Sequence, residues 1–147
     1  MRSAALLDVN VLVALFDPDH VHHEAAHQWF AAHRGSGWAT CPLTENGLVR
    51  ILANPAYLEA PEGSAGILKR LDALCASGGH VFWEDAVSLR DERVFRRARA
   101  LTHRQLADVY LLGLAKKKGG RLVTFDARIP LTAVIGTGED HLEVIPA

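Results

Sequence analysis

Two apolar runs that each stop at an aspartate constrain this chain most. Ala4-Ala5-Leu6-Leu7 leads straight into Asp8, and Leu122-Val123-Thr124-Phe125 leads into Asp126. Short continuous apolar runs suit strands covered on both faces, which is the condition inside a parallel sheet. Each aspartate then stands at a strand's carboxyl end, the side of an open α/β sheet where ligands bind. Taken singly, either carboxylate also reads as a cap for the helix or turn that follows.

The rest of the chain alternates between the two periodicities. A short apolar helix is expected over 9–16, broken by Asp17-Pro18-Asp19, and a second helix over 20–33. A strand over 38–41 runs into Pro42, a residue suited to the first turn of a helix, and that helix is expected to reach 52. A loop over 57–63, a helix around 67–74 and a strand over 80–83 follow. The arginine-rich stretch 88–100 reads as a basic helix, and 105–118 as a buried helix capped by Gly119-Gly120. Strands over 122–125 and 142–145 complete the pattern. Strands alternating with helices imply one three-layer α/β/α domain over 1–147, with a mainly parallel central sheet.

Two further acids ride on helical stripes that should face inward. Glu45 shares a face with Leu48 and Leu52, and Asp108 shares one with Leu111, Leu112 and Ala115. The alternative for each is a solvated acid near a helix N-terminus. If Asp8, Glu45, Asp108 and Asp126 converge, their charges repel and their pKa values rise. A hard divalent cation such as Mg²⁺ or Mn²⁺ relieves that repulsion, and it takes oxygen ligands by preference.

These residues carry a resemblance. Leu6-Leu7-Asp8-Val9-Asn10-Val11-Leu12, Thr44-Glu45 with Leu48-Val49-Arg50, Ala107-Asp108-Val109-Tyr110-Leu111 and Leu122-Val123-Thr124-Phe125-Asp126 resemble, in order, the acidic motifs of PIN domains. The wording Thr-Glu-Asn-Gly-Leu-Val-Arg is most similar to VapC-type toxins of bacterial toxin–antitoxin pairs. The resemblance implies an endoribonuclease dependent on Mg²⁺ or Mn²⁺, with Asp8, Glu45, Asp108 and Asp126 as catalytic metal ligands. It implies that Asn10 orients Asp8, with a helix N-cap as its other reading. Thr124 either hydrogen-bonds a carboxylate or is an ordinary strand residue. The implied reaction is hydrolysis of an RNA phosphodiester that leaves a 5′-phosphate and a 3′-hydroxyl. The implied partners are an RNA substrate, a second copy of the chain, and a cognate antitoxin that docks on the early helices and reaches toward the acids with a basic side chain.

Net charge is −1, so the chain is no general polyanion binder, but it leaves room for a local basic patch. Arg93, Arg96 and Arg97 are the candidate RNA contacts within that patch, which equally reads as a solvated face paired with Asp91 and Glu92. Cys41 and Cys75 sit in apolar elements and read as reduced core thiols, and no membrane-spanning run is present; a cytoplasmic protein is expected. His23 and His27 have a spacing that can bind zinc but lack an obvious third ligand. Trp29 and Phe30 read as core, with a groove for an antitoxin helix as the alternative. Two other functions compete. A housekeeping RNA-processing nuclease would share the acids. A non-catalytic acidic-pocket module of the phosphoacceptor kind would want paired acids after the first strand and a lysine after a later one, and neither is present.

Overall fold

In the computed structural model, residues 3–57, 63–97 and 100–147 are described. The elements run β1 (Ala5–Leu7), α1 (Val9–Phe16), α2 (His23–His33), β2 (Trp38–Thr40), α3 (Pro42–Leu52), α4 (Gly63–Ala76), β3 (His80–Phe82), α5 (His103–Lys117), β4 (Arg121–Thr124) and β5 (Leu142–Val144). The five strands lie in the order β3-β2-β1-β4-β5, and every neighbouring pair is parallel. Leu6 pairs with Ala39 on one side and Leu122 on the other. The chain winds outward from β1 through β2 to β3, then returns to place β4 against the opposite edge of β1. The reversal creates a switch point between β1 and β4, and Asp8 follows β1 there.

Alternate residues of the strands feed two cores. Ala5, Leu7, Trp38 and Val123 face α1 to α4 with Leu12, Phe30, Leu48 and Ile67. Leu6, Ala39 and Leu122 face α5 with Leu112, Phe95, Ile129 and Val134. The three layers expected from the sequence are therefore present. Burial also explains α1, a helix with no charged residue: Val11 to Phe16 are all buried. Its last carbonyls are satisfied by side chains from its neighbours. His23 Nδ1 donates to the Ala14 carbonyl (2.7 Å), His27 Nε2 to that of Leu15 (2.9 Å), and Arg70 to that of Phe16 (2.7 Å). The two histidines thus fasten α2 to α1, and no third ligand joins them among the described residues.

The basic helix expected over 88–100 does not form in its described part; Ala98 and Arg99 lie outside the described residues. The segment makes turns instead. Asp91 accepts from the backbone N–H of Arg93 (2.9 Å), and the stretch pairs with the chain near Val134 through Arg96 N–H to Ala133 (3.0 Å) and Ile135 N–H to Val94 (2.8 Å). The physical reason is the lack of an apolar stripe. Phe95 is the buried anchor of the segment, and an arginine-dense helix with one anchor gains little from packing. Phe95 instead plugs against α5 at Gly113, where a Cβ would come within 2.4 Å of its ring. No helix among the described residues is long and apolar enough to cross a membrane.

Candidate active site

The site is built where β1 and β4 end. Asp8 is almost fully buried and caps α1, accepting from the backbone N–H of Val9 at 2.7 Å. Its second oxygen accepts from the Thr124 hydroxyl, also at 2.7 Å. Thr124 Oγ1 in turn accepts from the Asn10 amide (3.1 Å) and from the backbone N–H of Asp126 (3.1 Å). One hydroxyl therefore ties the first strand end to the second. Thr124 is a carboxylate partner rather than a plain strand residue. Asn10 acts on Asp8 through Thr124, and it is Asp8 that caps the helix.

Asp108 enters from the first half of α5, on the stripe with buried Leu111, Leu112 and Ala115. Burial pushes its carboxyl up to about 7, helped by repulsion from Asp8 and Asp126 and by a hydrogen bond with Asp8 in which Asp108 keeps the proton. Burial likewise raises Asp8, partly offset by the hydrogen bonds from Thr124 and Val9. Asp126 behaves oppositely. The backbone N–H of Arg128 and then its guanidinium (3.2 Å) hold Asp126 below the usual carboxylate range. So three acids gather at one end of the sheet, Asp8 and Asp108 sharing a hydrogen bond and Asp126 acting on both through its charge.

Glu45, expected in the same set, keeps other company. Its carboxylate accepts from the Thr40 hydroxyl at 2.6 Å, and Thr40 Oγ1 also lies 2.8 Å from His80 Nε2. The inward stripe of α3 with Leu48 and Leu52 does point inward, but onto β2. The helix face turned to the aspartates carries Leu43, Gly47, Arg50 and Ile51, which with Asn54 just beyond the helix line a ≈ 580 Å³ cleft with Asp8 and Asp108. Gly47 is required there, since a Cβ would come 2.8 Å from Val9.

Asp126 and Asp108 continue the groove into a smaller hollow bordered by Arg104 and Arg128. The cations along the groove are thus Arg50, Arg104 and Arg128. Arg93, Arg96 and Arg97 line none of these clefts. Arg93 pairs with Asp91 (3.1 Å), Arg97 lies 3.7 Å from Glu92, and Arg96 donates to the Thr132 carbonyl (2.8 Å). Arg128, two residues beyond Asp126, escaped the sequence reading, and Arg50, one turn beyond Gly47, entered it only as part of the second motif and not as a candidate RNA contact. Cys41 is buried, whereas Cys75 is only half-buried, and both are free thiols.

Comparison with known proteins agrees with this architecture. The family model for the PIN domain matches residues 5–135. Ribonuclease VapC38 of Mycobacterium tuberculosis is 50% identical over 125 residues, covering 85% of this chain and 86% of its own. Ribonuclease VapC44 of the same organism is 44% identical over 141 residues, covering 96% and 99%. Among solved structures, the sarcin-ricin loop cleaving toxin VapC20 of M. tuberculosis superposes with a TM-score of 0.61 at 13% identity, over 91% of this chain and 98% of that one. That likeness carries the fold, while the sequence identity carries the kinship. With a parallel sheet wound about β1 and acids gathered at its switch point, the chain belongs to the PIN-domain family and, within it, to the VapC ribonucleases.

Proposed function

We propose that this protein is an endoribonuclease toxin whose catalytic metal, Mg²⁺ or Mn²⁺, is held by Asp8, Asp108 and Asp126. The observation that carries the proposal is the gathering of these acids, with the Asp108 carboxyl pushed up to about 7 by burial and by the charges of its neighbours. The donor set is all oxygen and opens onto a solvent-filled groove, which suits a hard ion that keeps several waters. Such an ion, when bound, activates a water and neutralises charge on a phosphodiester.

The chain's own residues have distinct tasks in this reading. Asp8 is fixed by Thr124 and Val9, so its oxygens need no reorganisation. Asp108 is half-exposed and gives up its proton as the cation arrives. Asp126, kept ionised by Arg128, supplies the third charge. Arg50, Arg104 and Arg128 border the groove and can contact phosphates of an RNA strand laid in it. Glu45 stands outside this set, because its carboxylate is engaged by Thr40.

The family reading supplies the remaining partners. A cognate antitoxin silences the enzyme, and its place is the ≈ 470 Å³ groove between the early helices and α4, lined by Leu15, Phe16, His27, Phe30, Arg34 and Arg70. The protein works in the cytoplasm as a homodimer of single-domain chains.

The test is cleavage of total RNA by purified protein with Mg²⁺, with Mn²⁺ and with chelator, beside Asp8→Asn. Discrete metal-dependent fragments are expected, with the variant slower by at least about 10²-fold. Equal cleavage by the variant, or full activity in chelator, would overturn the metal assignment.

A further inference from the structure

One side-chain cluster is left unused by the aspartate groove. Glu45 of α3, Cys75 of α4 and His80 of β3 bring a carboxylate oxygen, a thiol sulfur and a ring nitrogen within 4.8 Å of one another. Among the described residues this is the one trio of acids, cysteines and histidines that meets so closely. We propose that Glu45, Cys75 and His80 form a zinc site separate from the aspartate groove, with water as the fourth ligand.

The chemistry of the donors selects the ion. Thiolate and imidazole favour a borderline-soft cation, and zinc accepts sulfur, nitrogen and carboxylate oxygen in one tetrahedron. A tetrahedral zinc holds its ligand atoms about 3.3–3.8 Å apart, given bond lengths of about 2.0–2.3 Å. The trio therefore closes by a contraction of about 1.5 Å at most, within reach of side-chain rotation. All three residues are half-buried, which leaves an entry path and room for the water. Mg²⁺, which the three aspartates suit, has little affinity for such donors.

Thr40 supplies the supporting shell. Its one hydroxyl proton goes to Glu45 Oε2, so His80 Nε2–H must be the donor toward Thr40 Oγ1. Burial lowers the ring's pKa and favours the neutral form, whose lone pair is then on Nδ1, and the second carboxylate oxygen of Glu45 is left for a ligand. Outer partners of this kind orient metal-binding histidines and carboxylates in established sites. Thr40 is fully buried on β2, so the anchor is rigid.

The site would clamp three elements that are distant in sequence. Cys75 lies in the last turn of α4, His80 opens the edge strand β3, and Glu45 lies in the first turn of α3. The same α3 presents Gly47 and Arg50 to the aspartate groove, so the clamp would fix one wall of that groove from behind.

The experiment uses the chelator-stripped full chain. Zinc is titrated against a chromogenic competitor, and cobalt is titrated separately while its absorption is followed. One equivalent of zinc is expected, with a sulfur-to-cobalt charge-transfer band. Cys75→Ser should abolish the band, and both Cys75→Ser and His80→Ala should weaken zinc binding by more than tenfold. Asp8→Asn should bind zinc as the parent does, which separates this site from the nuclease groove. Cobalt binding without the band, or zinc binding lost in Asp8→Asn and kept in Cys75→Ser, would overturn the proposal. The band is read on the unaltered protein, so a variant that fails to fold does not decide the outcome.

Discussion

Thr124 has one hydroxyl proton and donates it to Asp8 at 2.7 Å, while its oxygen receives Asn10 and the backbone of Asp126. Thr124→Val removes the donor from a buried carboxylate without changing the strand's shape. We expect cleavage to fall by about 10- to 100-fold, the usual cost of losing an outer-shell partner, and Thr124→Ser to restore most of it. A Thr124→Val enzyme with parental rates would remove the hydroxyl from the catalytic set. Asp108 makes a second prediction, in pH. Its carboxyl ionises near 3.8 in an unfolded chain and near 7 in the folded, metal-free protein. Between those values the unfolded chain has released a proton that the folded one retains, so folded stability falls as pH rises through that window and levels off above it. Asp8 is raised as well and contributes with the same sign. The melting temperature of chelated protein should therefore drop from pH 4 to 7, and added Mn²⁺ should raise it more at pH 8 than at pH 5. Asp108→Asn should flatten the fall; an unchanged slope would sink the assignment.

At the scale of elements, what was legible in the sequence was whatever two-state periodicity decides. The runs ending at Asp8 and Asp126 suit strands covered on both faces, and the structure places them side by side. The stripes under Glu45 and Asp108 were both inward, yet inward has two directions at the end of a sheet. Asp108 looks across the strand ends, whereas Glu45 looks down onto Thr40, and spacing along a helix does not encode that difference. The segment after Ser88 misread as a helix for a related reason. Its arginines permit a helix locally, but Phe95 finds its only large burial in the gap that Gly113 leaves in α5. Gly113→Ala should cost about 1–3 kcal/mol by overpacking, despite alanine's better helix propensity, when measured by chemical denaturation. In a Phe95→Ala background the same change should be neutral or stabilising. Additive losses would show that Phe95 and Gly113 are not in contact in solution.

For the whole molecule, stability and chemistry are concentrated at opposite ends of the sheet. Arg121, buried at the start of β4, donates to Glu143 at 2.8 Å and to the Ser3 carbonyl, and Glu143 also receives the Trp29 indole at 2.6 Å. This joins β4, β5 and α2 far from the aspartates along the strands. Glu143→Gln should lower stability by about 3 kcal/mol, because it leaves a buried guanidinium without its counter-charge. The cleavage rate per folded molecule should stay at the parental value, and a change in that rate would show the two ends to be coupled. The order of the strands has one more consequence. Asp8 acquires its hydroxyl partner from a residue 116 positions later, on a strand that slots into the middle of the sheet after β1, β2 and β3 have been made. A chain emerging from the ribosome carries Asp8 well before Thr124, so Asp8 stays without that partner until β4 has emerged and inserted beside β1. Products of termination before residue 124 lack both the Thr124 hydroxyl and Asp126. With Thr124 and Asp126 in the proposed site, that site cannot assemble on a chain still short of β4, whatever has already folded.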